Sequence, residues 1–433
     1  MYRVKILTFN DGERYPILLK EDGLPLYFPT LYISTMVRSG NHAAKTLERH
    51  LRAIMHLYTW AQNEGLDIEN RLDCHEPLNL YEIDSLVRAC RNNHHDISLS
   101  SRNPTARQKP CARIVSVEQA RAKAPKKKPE VQGDTAANRI RSIRNYVEWL
   151  MHKSYNHTSV KGDGVVNLNI AINFWNKAIS SRIPQNRKKA TATSREGLAP
   201  KDIELLLQVL NPNDSFNPWS DKSLATRNQL IFILLYTLGI RRGELLGLKI
   251  EDINFQAHEV TVRRRPDDPD DPRTDQPNAK TKDRKLRIEP AVADMVYDYI
   301  VKHRSLILKA KRNSFLLVTH KQGPYHGNPL SITGYSKMIE TLREKVPTLP
   351  DDLSGHIMRH SWNDQFSRYI DQRRKQGDEI SQNREEQMRE YLMGWKQGSG
   401  TASTYTKRHI REKSNEISRE IQKKAIEALR NEE

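Results

Sequence analysis

Gly355-His356-Ile357-Met358-Arg359-His360 sets a histidine and an arginine one helical turn apart, on one face of any helix that forms there. A guanidinium is always charged and offers forked donors to phosphate oxygens, while an imidazole can move a proton near neutral pH. Gly239-Ile240-Arg241-Arg242-Gly243-Glu244-Leu245 supplies a second arginine, and Lys280-Thr281-Lys282 supplies lysines. Leu392-Met393-Gly394-Trp395 then leads to Thr404-Tyr405-Thr406, whose phenol is a candidate nucleophile. Breaking a phosphodiester without metal or cofactor needs parts of these kinds. A nucleophile attacks phosphorus, cations neutralise the non-bridging oxygens, and an acid protonates the departing oxygen. A phenol with a pKa of about 10 needs arginine neighbours, or a base such as His356, to become a phenolate.

The composition points to a polyanionic partner. The 433 residues carry 71 Lys and Arg against 53 Asp and Glu, a formal net charge of +18. A chain this basic usually meets nucleic acid. The longest uninterrupted apolar run, Leu230 to Tyr236, is far too short to span a bilayer, so no membrane role is expected. Cys74, Cys90 and Cys111 form no paired metal-binding motif, and a reduced compartment without structural zinc is expected.

Elements that could position these residues follow from periodicity. Residues 1–28 alternate apolar and polar and read as a β arm. Ala44, Leu47, Leu51, Ile54, Tyr58 and Ala61 recur at helical spacing, with Lys45, Arg49, Arg52 and His56 largely off that stripe. A later helix, capped by Thr135, carries Ile140, Ile143, Val147 and Leu150 inward and Arg139, Arg141 and Arg144 on its other sides. Lys45, Arg49, Arg52, Arg139, Arg141 and Arg144 are the candidate DNA contacts of the first half. Helices are also expected over 78–90 and 166–179. Residues 96–135 read as a basic, proline-broken loop, and 183–199 as a linker. Beyond it the pattern predicts helices over 200–210, 224–238, 292–306, 332–345 and 357–370, and strands over 259–265 and 286–288. Asp267 to Asp271 reads as a solvated acidic loop, and Tyr391 as a core residue. The fold class is therefore mainly α with a small antiparallel β-sheet, closed by a lone helix over 408–430.

Taken together, the arginine turn, the His-x-x-Arg box, the Leu-Met-Gly-Trp segment and Tyr405 resemble the boxes of tyrosine recombinases of the phage integrase type over residues 198–410. The resemblance implies a helical core-binding domain over 29–182 behind the β arm, a catalytic domain over 200–407 and a packing or subunit-contact helix over 408–433. It implies site-specific cleavage and rejoining of double-stranded DNA through a 3′-phosphotyrosyl link at Tyr405, as in integration of mobile genetic elements. Arg241 and Arg359 would hold the scissile phosphate, with Lys280 as general acid and Lys282 as its rival. His356 would assist proton transfer, Trp395 support the phosphate or pack against the site, and Glu244 orient Arg241 or its helix. No cofactor is implied. A homotetramer on DNA is, in the cytoplasm and on the nucleoid if the source is bacterial. A type IB topoisomerase would use nearly the same residues, and an inactive DNA-binding regulator would keep the fold without the chemistry.

Overall fold

The computed structural model describes residues 2–40, 43–92, 130–157, 163–185, 197–279, 281–398 and 407–430. Lys280, Tyr405, Cys111 and most of the expected basic loop and linker lie outside the described residues. The chain divides into two compact units, Met1–Ala190 and Thr191–Glu433.

In the first unit, β1 (Arg3–Thr8) and β2 (Arg14–Leu19) pair antiparallel, from Arg3 opposite Leu19 to Thr8 opposite Arg14. The helices α1 (Tyr27–Tyr32), α2 (Ala44–Glu64), α3 (Ile68–Asp73), α4 (Leu80–Arg91), α5 (Gly133–His157) and α6 (Asp163–Ser180) complete it. Two of the short ones were not foreseen, because α1 and α3 are too brief to show a period. The α2 stripe packs as expected, with Leu51, Ile54 and Leu57 fully buried against Ile143 and Tyr146 of α5. Polar groups tie the same core together. The Tyr58 hydroxyl lies 2.7 Å from that of Tyr146 and donates to Glu69 at 2.5 Å, and Trp175 Nε1 donates to the Arg144 carbonyl at 3.1 Å. His56, expected on the outer face, is buried. α2 is enclosed over most of its circumference from Ala53 to Ala61, so the sequence stripe understated how much of it the neighbours cover.

The second unit is built around α8 (Lys222–Leu238), whose Leu230, Ile231, Phe232, Leu234 and Leu235 are almost wholly buried. The unit's other helices are α7 (Pro200–Val209), the short α9 (Arg242–Leu246), α10 (Pro290–Asp298), α11 (Ile332–Lys345), α12 (Gly355–Lys375), α13 (Gln382–Met393) and α14 (Lys407–Arg430). A small antiparallel sheet runs β3 (Ile253–Asn254), β4 (Glu259–Val262), β5 (Arg284–Arg287), with Val260 opposite Leu286 in the core. The expected strand over 259–265 ends at Val262, and the helix begun at Pro290 tightens and loosens into irregular turns after Asp298.

The acidic segment between β4 and β5 corrects the expectation of a solvated loop. Asp268 and Asp271 are buried. Lys249 reaches Asp268 at 3.0 Å, and Arg273 grips both oxygens of Asp271 at 2.8 Å. Arg273 also donates to the carbonyls of Leu246 and Leu330 and stacks on Phe315, its guanidinium carbon 4.6 Å from the ring centre. Partners distant in sequence turn the loop inward. Asp271→Ala would strand a buried guanidinium, and the expected cost is about 3–5 kcal/mol. Guanidinium-induced unfolding of the variant should show a correspondingly lower midpoint, and an unchanged midpoint would mean that Arg273 is supported by its carbonyls alone.

Candidate active site

α8 ends at Gly239, where the backbone turns left-handed at φ 58°. A Cβ there would fall 2.8 Å from the Met393 methyl and 2.9 Å from the Trp362 ring, so both backbone and space call for glycine. Two residues on, Arg241 stands at the start of α9, its backbone N–H donating to Glu244 at 3.1 Å. That bond closes the helix start and fixes the arginine's main chain.

Glu244 is buried and accepts from more than its own turn. Thr281 Oγ1 donates to it at 2.5 Å and Arg284 Nη2 at 2.8 Å. Burial pushes its carboxyl upward, but the Arg284 charge and the hydrogen bonds from Arg284 and Thr281, with Arg359 adding, bring it below the usual carboxylate range. Arg284 reaches further, its Nε donating to the Leu392 carbonyl at 2.7 Å. The Lys282 backbone N–H donates to the Gly394 carbonyl at 3.2 Å. The segment after residue 280 is thereby clipped to the end of α13.

Arg359 joins the remaining parts. Its side chain is fully buried on α12, with Nη1 donating to the Gly239 carbonyl at 2.6 Å and Nη2 to the Met393 carbonyl at 2.9 Å. Its guanidinium carbon lies 5.5 Å from the centre of the buried Trp395 ring. Behind it, Asn363 donates to the Arg359 carbonyl at 2.8 Å, and the buried Arg389 of α13 donates to Asn363 at 3.1 Å. Helix spacing alone brings His356 beside His360, with the two Nε2 atoms 3.2 Å apart and the rings edge to face. One ring must then carry its proton on Nε2 while the other leaves Nε2 bare. His356 is exposed and His360 buried.

The structure thus brings Arg241, Glu244, Arg359 and Trp395 together, through hydrogen bonds and through the Trp395 ring beside the Arg359 guanidinium, with His356 on the same helix as Arg359. Arg284 and Thr281 are the members that motif reading passed over. Their signal was present, since Arg284, Leu286 and Ile288 alternate inward, and a charged residue on the buried side of a strand needs a partner. Tyr391, expected in the core, is exposed, and its hydroxyl donates to the Lys285 carbonyl at 3.2 Å. Its helix places it on the side opposite Met393.

Residues 196–370 match the model of the phage integrase family. The match covers this stretch of the second unit and not the whole chain. Tyrosine recombinase XerD of Halalkalibacterium halodurans is 27% identical over 174 residues, which are 40% of this chain and 49% of that protein. Transposase A from transposon Tn554 of Staphylococcus aureus is 26% identical over 136 residues, 31% of this chain and 34% of that one. The chain therefore spans half or less of these relatives' lengths. The Tn1549 transposon integrase in complex with transposon right end DNA superposes with a TM-score of 0.50 at 13% identity, covering 91% of this chain and all of that one, and shares its fold.

The basic candidates of the first unit have varied partners. Lys45 and Arg52 both reach the buried Glu48, at 3.0 Å and 2.7 Å, while their ends stay exposed. Arg49 and Arg141 are exposed. Arg144 donates to Ser180 at 3.1 Å. Arg139 donates to the carbonyls of Cys90 and Asn92, closing the end of α4. Among the described residues, no helix is long and apolar enough to cross a membrane.

Proposed function

We propose that the chain is a site-specific recombinase that cleaves and rejoins duplex DNA through a phosphotyrosine. The observation that carries this reading is the Arg359 knot, which gathers the Arg241 turn, the Met393–Trp395 segment and the His356 helix in one cluster. Arg241 contacts the non-bridging oxygens of the scissile phosphate, and the buried Arg359, its Nη groups held by the Gly239 and Met393 carbonyls, adds its positive charge. The Tyr405 phenol attacks phosphorus as its proton passes toward His356. The bond from phosphorus to the 5′-oxygen breaks, and Lys280 gives that oxygen a proton, leaving a 3′-phosphotyrosine and a 5′-hydroxyl. The energy of the broken ester is retained in the new one, so a 5′-hydroxyl can reverse the step without cofactor. Trp395 packs on the Arg359 guanidinium and holds it in place. Exchange between two duplexes would engage four protomers, and α14, with Ile410, Ile417 and Ile421 exposed, is the candidate link between them. The enzyme would work in the cytoplasm, on the nucleoid in a bacterium.

The direct test is covalent trapping on nicked duplexes taken from the ends of the DNA element that encodes the chain, followed by mapping of the attached residue. Attachment at Tyr405 is expected. A chain that binds these duplexes and never becomes attached would be a regulator instead. Binding itself should be strongly salt-dependent, given the net charge of +18. Each phosphate neutralised should add about −0.9 to the slope of log K against log salt. A flat titration would exclude phosphate contacts as the source of affinity.

A further inference from the structure

Glu244 sits between two arginines and treats them unequally. Arg284 approaches its carboxylate at 2.8 Å with both side chains buried, whereas Arg241 Nη1 stands 3.5 Å away and keeps a third of its side chain exposed. Thr281 occupies the same oxygen that Arg241 Nη1 faces, at 2.5 Å. The carboxylate's charge is thus taken up by Arg284 and one of its acceptor sites by Thr281. Arg241 is anchored through its backbone N–H, and its guanidinium, 3.5 Å from Glu244, stays a third exposed.

We propose that Arg284 is a positioning residue for phosphodiester cleavage: by holding Glu244 it keeps the Arg241 guanidinium available to the scissile phosphate. The inference rests on the cleavage reading above. A carboxylate in a dry site needs a cation. With Arg284 gone, Arg241 is the neighbour able to swing in and form a forked pair with Glu244, and its donors are then turned away from substrate. The second contact of Arg284, to the Leu392 carbonyl, holds the end of α13 at the same time. A role confined to holding the end of α13 would lie in that second contact and would not depend on the charge of Glu244.

The two roles separate by second-site rescue, read as the rate of covalent attachment to the same nicked duplexes, with thermal melting as a check of folding. Arg284→Met is expected to slow attachment about 100-fold, the scale of losing one donor to a developing oxyanion. Removing the competing charge should restore at least about tenfold of this in Arg284→Met/Glu244→Gln, although the Leu392 contact remains broken. Arg284→Lys keeps a cation beside Glu244 and should stay within about tenfold of wild type. A folded double variant no faster than Arg284→Met overturns the proposal. If Arg284→Met does not fold, Arg284→Lys decides: a folded chain slowed about 100-fold overturns it equally. A wild-type chain that forms no adduct overturns the cleavage reading itself, before any Arg284 variant is compared.

Discussion

Tyr405→Phe is expected to bind duplex DNA as the wild-type chain does and to form no covalent protein–DNA species at all. The substitution removes one hydroxyl and hardly changes volume, so loss of the adduct reports chemistry rather than folding. Tyr391→Phe is the matched control, because Tyr391 is the other tyrosine flanking the Gly394-Trp395 segment. Its hydroxyl is engaged with the Lys285 carbonyl at the edge of the sheet, and losing that one exposed hydrogen bond should cost no more than about 1 kcal/mol. Denaturing gels after trapping on nicked duplexes provide the readout. An adduct retained in Tyr405→Phe would move the nucleophile elsewhere in the chain, and an adduct lost in Tyr391→Phe would point to Tyr391.

Lys280→Ala is expected to cleave ordinary DNA slowly and to recover most of its rate when the bridging 5′-oxygen is replaced by sulfur. A departing 5′-alkoxide is a poor leaving group, and giving it a proton is worth roughly 10²–10⁴-fold. A thiolate leaves unaided, since a thiol has a pKa of about 8.5. Arg241→Ala should gain much less from sulfur, because charge on the non-bridging oxygens still needs a cation. Lys282→Ala should cost little on either substrate. Lys282 has an exposed side chain, and its contact with the site is the backbone N–H to the Gly394 carbonyl, which alanine retains. Sulfur rescue of Lys282→Ala alone would reassign the acid, and rescue of neither lysine variant would remove the proton donor from this segment.

Much of the fold and part of the site were legible in the chain itself. Apolar stripes at helical spacing placed α2, α5, α8, α11 and α12 within a few residues, since burial of one face is written in local period. Spacing also set Arg241 beside Glu244 and His356 one turn before Arg359 and His360, because helical neighbours are separated by fixed steps.

What the chain could not show locally is which charges meet. Arg359 donates to a carbonyl 120 positions away, and Arg284 to one 108 positions away. Composition made Asp268 and Asp271 look like solvated acids, and only folding brought Lys249 to Asp268 and the Leu246 and Leu330 carbonyls to Arg273, the sequence neighbour that grips Asp271. Tyr391 looked like core until α13 turned it outward, and His56 looked like surface until neighbouring elements closed over α2. Local sequence determines which face of an element is apolar, because that depends on covalent geometry over a few residues. The fate of a charged or amphipathic side chain depends on the partner that desolvates or pairs it, and in this protein tertiary structure alone supplied Glu244 with Arg284 and left Arg241 part exposed.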